Sequence, residues 1–142
     1  MNPSMTRKVG VWVDRSRSFI VTLSSSHIET TVIASDMQKN VRFMGGAFKE
    51  TEEDIRDRKI RNQFNIYLDK VTLKLQDVTH LFIMGPGNAK LELQKHLLKA
   101  RYRGRIIAIE TAGKMTERQI IAKVSGRFSL LERPLRAKPA AV

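Results

Sequence analysis

Carboxylates are the residues that could support the most demanding chemistry in this sequence, the two-metal cleavage of a phosphodiester. Such a site needs several acids that converge on one point. Asp14 follows the first apolar run, and Glu52–Asp54 open the first long amphipathic stretch. The apolar run Leu81–Met84, however, ends without an acid, and Glu110 follows only the last run. We therefore expect these acids to serve a turn and a helix start, and we predict neither a metal site nor nuclease activity.

The histidines His27, His80 and His96 are the candidates for acid–base catalysis. They are scattered without a His-x-x-x-His pair, and the sequence contains no cysteine partner for them. A catalytic triad depends on residues that the fold brings together, which sequence spacing does not reveal. Isolated histidines are far more often surface or structural residues. We therefore assign no catalytic residue and predict no cofactor.

The segment Gly85-Pro86-Gly87-Asn88-x-Lys90 could bind an anion. It precedes an amphipathic stretch, so free backbone N–H groups at a helix start would point at a ligand. It lacks the Gly-Lys-Ser/Thr ending of a nucleotide-binding loop, so an ATPase is not supported. A tight strand-to-helix turn whose glycines permit unusual dihedral angles explains the same residues equally well. Both interpretations stay open, with Gly85, Gly87, Asn88 and Lys90 as the candidate anion ligands.

The range Lys99–Arg105 (KARYRGR) places four cations and one tyrosine within seven residues. Arginine and lysine pair with phosphates, and Tyr102 could stack on a base. A solvated helix end with favourable C-terminal charge is the alternative explanation. The charge of the whole chain favours RNA as the partner of this range.

That charge is strongly basic. The 142 residues include 26 Lys/Arg and 14 Asp/Glu, a net charge of +12. The excess is concentrated towards the end, because Asn88–Val142 contains thirteen Lys/Arg against four Glu. Such a field attracts polyanions by releasing their counterions. An anionic membrane fits less well, since no stretch has the one-sided aromatic face of an interfacial helix or approaches about 18 apolar residues. We predict a cytoplasmic nucleic-acid-binding protein.

Three strands open the chain. Val9–Val13 and Phe19–Leu23 are separated by a polar turn and predict a hairpin, and the β-branched run Thr30–Ile33 predicts a third strand. Asp36–Thr51 has no clean period and contains two adjacent glycines. We expect an exposed loop there.

Three helices follow, interleaved with two more strands. Apolar residues at three- and four-residue spacing predict a helix from about Glu52 to Leu75. Asn88 is predicted to cap a helix to about Ala100. The capping box Thr116-x-x-Gln119 opens the last helix. The strands Leu81–Met84 and Arg105–Ile109 flank the second helix, so they should be parallel with a right-handed crossover.

The resulting order, β-β-β-α-β-α-β-α, indicates an α/β domain with a five-stranded mixed sheet. It resembles the ribonuclease-H-like and translational-machinery-component-like folds. We expect a flexible N-terminus at residues 1–8, a single domain at 9–132 and a basic mobile tail at 133–142. The oligomeric state stays open, although an uncovered edge strand could pair between subunits.

The glycine loop and the Gly-Pro-Gly turn occur in an order that resembles a known domain. Arg42-Phe43-Met44-Gly45-Gly46-Ala47 precedes a long helix that carries several arginines and lysines, and Leu81–Leu98 supplies a strand, the turn and an amphipathic helix. This arrangement is similar to the middle domain of the eukaryotic and archaeal class-1 peptide-chain release factor and of Pelota, the ribosome-rescue factor. The resemblance covers about Val9 to Leu131. It implies a domain that contacts ribosomal RNA or tRNA on the ribosome.

One departure from that family bears on activity. In release factors the glutamine of a Gly-Gly-Gln motif helps to position the water that hydrolyses peptidyl-tRNA, and Ala47 stands in its place here. Pelota also lacks this motif and works without hydrolysis. The resemblance therefore favours a non-catalytic, ribosome-associated RNA-binding factor. Peptidyl-tRNA hydrolysis through the Gly45-Gly46 loop and a basic protein-interaction module are the alternatives.

The predicted RNA contacts lie around the glycine loop, on the helix after it and near the second helix end. They are Lys39, Arg42, Gly45, Gly46, Lys49, Arg56, Lys59, Lys99, Arg101, Tyr102, Arg103 and Arg105.

Overall fold

The computed structural model describes residues 6–35 and 49–132. Its elements follow the predicted order β-β-β-α-β-α-β-α, which is confirmed. They are β1 (Lys8–Val13), β2 (Arg17–Leu23), β3 (Ile28–Ala34), α1 (Lys49–Lys74), β4 (His80–Gly85), α2 (Ala89–Lys99), β5 (Arg105–Thr111) and α3 (Glu117–Glu132).

The five strands form one mixed sheet in the order β3-β2-β1-β4-β5. β1, β2 and β3 are antiparallel neighbours, and β1 pairs with β4 in parallel. β4 and β5 are parallel, as predicted. The three parallel strands therefore start at one end of the sheet and finish at the other. We call these the amino end, next to His80, and the carboxyl end, next to Gly85.

Helices cover both faces of the sheet. Alternate residues of the central strands point to opposite faces, so both sets are buried. On one face, Val11 and Ile83 pack in a core with residues of α1 and α2 such as Leu68 and Leu93. On the other face, Trp12 and Phe82 belong to a core with residues of α3 such as Val124. This three-layer arrangement fixes the loops at the two ends of the sheet.

Two predicted boundaries differ from the structure. α1 begins at Lys49, so the end of the predicted loop is helical. The run from Lys49 to Glu53 contains no glycine or proline, and its acids are favourable near a helix start. The residues 36–48 of that loop and the predicted tail 133–142 lie outside the described residues.

Hydrogen bonds also hold the backbone just before β1, within residues 1–8, which are predicted to be flexible. The carbonyl of Arg7 accepts hydrogen bonds from the backbone N–H groups of Thr79 and His80 at 3.0 and 3.1 Å. β1 begins at the next residue, Lys8.

One predicted helix cap is confirmed and another differs. Thr116 N–H donates to Gln119 Oε1 at 2.8 Å and Gln119 N–H donates to Thr116 Oγ1 at 3.2 Å, a complete capping box. Asn88 occupies the N-cap of α2 without a side-chain capping hydrogen bond. Its dihedral angles, φ −95° and ψ −3°, are helical rather than extended, which is not the usual geometry of a capping side chain.

Candidate nucleic-acid interface

The cationic range after α2 begins with a defined helix end. Arg101 N–H donates to Leu98 O and Tyr102 N–H donates to Leu97 O, each at 3.0 Å. These two bonds form a Schellman motif, in which the residue after the C-cap adopts a left-handed conformation. Arg101 occupies that position with φ 58°. The backbone therefore turns sharply at Arg101 and enters a short connection to β5.

Polar contacts fix that connection to the segment between α1 and β4. The Tyr102 hydroxyl donates to Val78 O at 2.7 Å, and Arg105 N–H donates to Thr79 O at 2.8 Å. Gly104 lies so close to this segment that an added Cβ would be 2.2 Å from Val78 O. Only glycine fits there, so the path of the chain is set by packing.

The fixed backbone displays three arginines to solvent. Tyr102 and Gly104 are partly buried, whereas Arg101, Arg103 and Arg105 alternate with them and are exposed. We call these three residues the arginine strip. Within residues 6–35 and 49–132, none of the three side chains has an ion-pair partner. The strip is thus a concentrated positive charge whose guanidinium groups form no ion pair with the described residues.

The surroundings of the strip are mixed in charge. Arg103 and Arg105 line a shallow groove together with Thr79 and His80. Asp77 also lines it and pairs with Arg7 at 3.6 Å. The pairing leaves that acid partly neutralised, so the groove remains suited to an anion.

Tyr102, predicted to stack on a base, has a structural contact. Its ring packs against the core below α1, and its hydroxyl is engaged by Val78 O. Burial raises the pKa of Tyr102 to about 12, with a further contribution from the negative charge of Asp77. Stacking on a base would have to compete with this packing.

The second predicted region, the turn Gly85–Lys90, has its own geometric requirements. Gly85 has φ 148°, and a Cβ there would be 2.1 Å from Val13 O. Gly87 also has a positive φ, 60°. Lys90 is 8% exposed, and its ammonium group donates to the carbonyl of Gly87. The backbone of this tight turn therefore requires both glycines, and the Lys90 hydrogen bond reinforces the turn.

The structure places the two regions at opposite ends of the sheet. Arg105 pairs with His80 at the amino end, whereas the turn follows Gly85 at the carboxyl end. Five residue steps of β4 separate them, about 17 Å at the rise of a strand. One phosphate group cannot bridge the strip and the turn.

The remaining predicted contacts belong to the glycine loop and α1. Lys39, Arg42, Gly45 and Gly46 lie outside the described residues, as does Ala47. Lys49 is the first residue of α1. Arg56 and Lys59 are exposed further along the helix.

The first half of α1 is balanced in charge rather than basic. Lys49–Arg61 contains five lysines or arginines and five aspartates or glutamates. Its exposed cations therefore produce a weaker field than the arginine strip.

Two of the acids considered for metal binding, Asp14 and Glu110, have other partners. Asp14 Oδ1 accepts hydrogen bonds from the N–H groups of Ser16 and Arg17 at 2.8 and 2.9 Å, which closes the β1–β2 turn. Glu110 pairs with Lys123 at 3.5 Å and with Arg127 of α3. The part of the chain that the structure describes contains no group of three or more potential metal ligands.

No family model matches this chain, and no curated protein matches it by sequence. Solved structures do. The chain shares its fold with part of Pelota. The Thermoplasma acidophilum Pelota protein superposes with a TM-score of 0.58 and 12% identity over 88% of this chain. An archaeal translation termination factor superposes with a TM-score of 0.52 and 13% identity over 92% of it.

This likeness concerns one part of larger proteins. The chain spans 34% of the length of that Pelota protein and 41% of that termination factor. At these identities the likeness establishes the α/β fold. The described helices include none that is long and apolar enough to cross a membrane.

The structure also brings together a group of residues that sequence spacing did not indicate. At the β2–β3 hairpin, His27 Nδ1 lies 3.2 Å from Ser24 Oγ and His27 Nε2 lies 3.3 Å from Glu29 Oε2. The order serine, histidine, acid is that of a catalytic relay. Ser24 Oγ, however, donates its proton to His27 O at 2.8 Å, and the His27 and Glu29 side chains are about 59% and 64% exposed. The arrangement closes a hairpin.

His80 and His96 have local partners as well. His80 Nδ1 lies 3.0 Å from Thr79 Oγ1. His96 links α2 to α1, since its Nδ1 lies 2.8 Å from Asp69 Oδ1 and its Nε2 lies 3.3 Å from Asn65 Oδ1. These contacts explain the histidines as structural residues.

Proposed function

We propose that this domain is a non-catalytic RNA-binding module that acts on the ribosome and contacts RNA through the arginine strip. The observation that carries the proposal is the display of three exposed arginines, without ion-pair partners among the described residues, on a backbone fixed by packing. The fold shared with Pelota and with a translation termination factor supports the ribosome as its place of action. We further propose that it corresponds to the middle domain of that family, and that it acts in the cytoplasm.

Arginine suits this role because its planar guanidinium group pairs with phosphate oxygens through two parallel hydrogen bonds. The Schellman motif and the Tyr102 hydroxyl bond hold the backbone before any ligand binds. Less conformational entropy is then lost on binding. Lys99, exposed at the end of α2, extends the same positive surface.

A second proposed contact lies on α1 and in the segment before it. It consists of Arg56, Lys59, Lys39, Arg42, Gly45, Gly46 and Lys49. β3 ends at the carboxyl end of the sheet, where Ser35 N–H donates to Ser16 O at 2.8 Å. The chain thus leaves the sheet there, on the side of the turn Gly85–Lys90. Phosphate binding by the turn would belong to this second contact.

The test is RNA affinity measured as a function of salt for a variant with Arg101, Arg103 and Arg105 changed to glutamine. The parent protein should lose affinity steeply between about 50 and 200 mM salt. Removing three phosphate contacts should weaken binding by at least tenfold at the lower salt concentration. The slope of log affinity against log salt should fall by about two to three units.

A matched control changes Lys70, Lys114 and Arg118 to glutamine, three exposed cations outside the strip. This variant loses the same net charge, so it measures the effect of total charge alone. Equal losses in the two variants would show that the strip is not a specific contact. Affinity unchanged in both would overturn RNA binding through the described surface.

A further inference from the structure

In the part of the chain that the structure describes, β3 is an edge strand with no strand on its outer side. Among the described residues, β2 is its only paired neighbour. Six of its seven residues are exposed, and the other, Ile33, packs against the core beneath α1. The apolar side chains of Ile28 and Val32 are 46% and 55% exposed. Such an edge is a template for pairing with another strand.

The hydrogen-bond pattern identifies the residues of β3 whose backbone N–H and C=O groups point away from β2. Ser24 N–H donates to His27 O, and Ser35 N–H donates to Ser16 O, at the two limits of the β2–β3 ladder. Hydrogen-bonded and non-bonded pairs alternate along an antiparallel ladder. Glu29, Thr31 and Ile33 therefore bond to β2. Ile28, Thr30 and Val32 direct their N–H and C=O groups away from it.

The charge around β3 differs from that of the rest of the chain. No lysine or arginine occurs from Ser18 to Ser35, in a protein with 26 such residues. Glu29 is the strand's only formal charge. Edge strands are commonly protected by lysine, proline or a bulge. β3 contains no lysine or proline, and its register with β2 is unbroken.

We propose that β3 pairs antiparallel with β3 of a second copy of this chain. In the register that places Thr30 opposite Thr30, Ile28 of each copy lies opposite Val32 of the other. All the residues thus paired have outward backbone groups, so the two strands exchange about six hydrogen bonds. The interface joins two five-stranded sheets into one continuous sheet.

The sequence of β3 fits a second copy better than an RNA strand. A two-fold axis at Thr30 pairs the exposed apolar side chains with each other twice, and it sets Glu29 opposite Thr31 rather than opposite itself. The segment Ser18–Ser35 offers RNA no lysine or arginine. With about six hydrogen bonds against about ten in a typical interface, the dimer should be weak and reversible.

The rest of the molecule sets the salt dependence of this association. Each copy carries a net charge of +12, so two copies repel each other at long range. Salt screens that repulsion, and the β3 contact itself contains no ion pair to weaken. Dimerisation should therefore strengthen with salt, opposite to the behaviour expected for RNA binding.

The experiment is sedimentation equilibrium of nuclease-treated protein from micromolar to submillimolar concentration, at low and high salt. We expect a reversible shift from 16.2 kDa towards twice that mass, with tighter association at high salt. Val32→Lys puts a like charge on each side of the axis and should abolish the shift. A monomer at every concentration and salt condition would overturn the proposal.

Leu73→Lys is the matched control, because it introduces the same charge at a leucine that is 74% exposed on α1. This variant should dimerise as the parent does. Circular dichroism should show that both variants are folded, as expected for substitutions at exposed positions. Dimerisation that survives Val32→Lys, or is lost equally in Leu73→Lys, would place any interface elsewhere.

Discussion

At the scale of single residues, two buried hydroxyl groups form hydrogen bonds that stabilise the fold. The hydroxyl of Tyr67 donates to Asp14 O at 3.0 Å and lies 2.7 Å from Ser18 Oγ. This small network joins α1 to the β1–β2 hairpin. A buried hydroxyl without a partner costs about 1–3 kcal/mol, so both hydroxyls are held in place by each other.

The two tyrosines give a direct test of this packing. Burial raises the pKa of Tyr67 above its ordinary value of about 10, against the effect of its Ser18 hydrogen bond, and raises that of Tyr102 to about 12. Between about pH 10 and 12 the unfolded chain holds fewer protons than the folded one. The contribution of the two buried tyrosines to the free energy of unfolding should therefore be fully present below about pH 10. It should fall as the pH rises through this window.

Ultraviolet titration of tyrosinate measures this effect cleanly, because the chain has only these two tyrosines. Ionisation should be delayed in the native protein and return to about pH 10 in denaturant. Tyr102→Phe should leave one delayed group. Normal ionisation of both groups in the folded protein would contradict the buried positions of their hydroxyls.

At the scale of elements, the end of α2 places a proposed RNA contact in a costly backbone conformation. The left-handed position of a Schellman motif is usually glycine, because a side chain there is strained by about 1 kcal/mol or more. Arg101 occupies it with φ 58°. A cation in this position is consistent with its role in the arginine strip.

Arg101→Gly should therefore raise the free energy of unfolding by about 0.5–1 kcal/mol, since relief of strain exceeds the added entropy of the unfolded chain. The same substitution should weaken RNA binding. Chemical denaturation measures the first effect. Arg103→Gly is the control, because it removes the same charge at a residue without a positive φ, and it should not stabilise. Loss of stability in Arg101→Gly would show that the guanidinium contributes to folding.

At the scale of the whole molecule, the sheet separates two surfaces. The arginine strip lies at the amino end, and the turn Gly85–Lys90 and the end of β3 lie at the carboxyl end. A domain with separated contacts can join two segments of a folded RNA.

Sedimentation of the tagged protein from cell extract through a sucrose gradient tests the proposed association with the ribosome. The protein should migrate with a ribosomal subunit or the whole ribosome, and it should return to the top at high salt or after nuclease treatment. The variant with Arg101, Arg103 and Arg105 changed to glutamine should return to the top at lower salt. Parent protein that stays at the top while binding RNA in isolation would limit the likeness to fold.

The sequence by itself determined the order of the elements, the mixed sheet, the capping box at Thr116 and the concentration of positive charge. These features are local, because each depends on a short range of residues. They rest on the 3.6- and two-residue periods, the capping pattern and the charges. The sequence also identified the tight turn at Gly85. It did not decide between a structural and an anion-binding turn.

The tertiary structure decided which of the candidate residues can act together. It separated Lys99–Arg105 from Gly85–Lys90 by the length of β4, turned Tyr102 towards Val78 and engaged Lys90 with the carbonyl of Gly87. It also placed β3 at the edge of the sheet formed by the described strands. These outcomes depend on strand direction and on packing between residues far apart in the chain, and no short stretch of sequence contains that information.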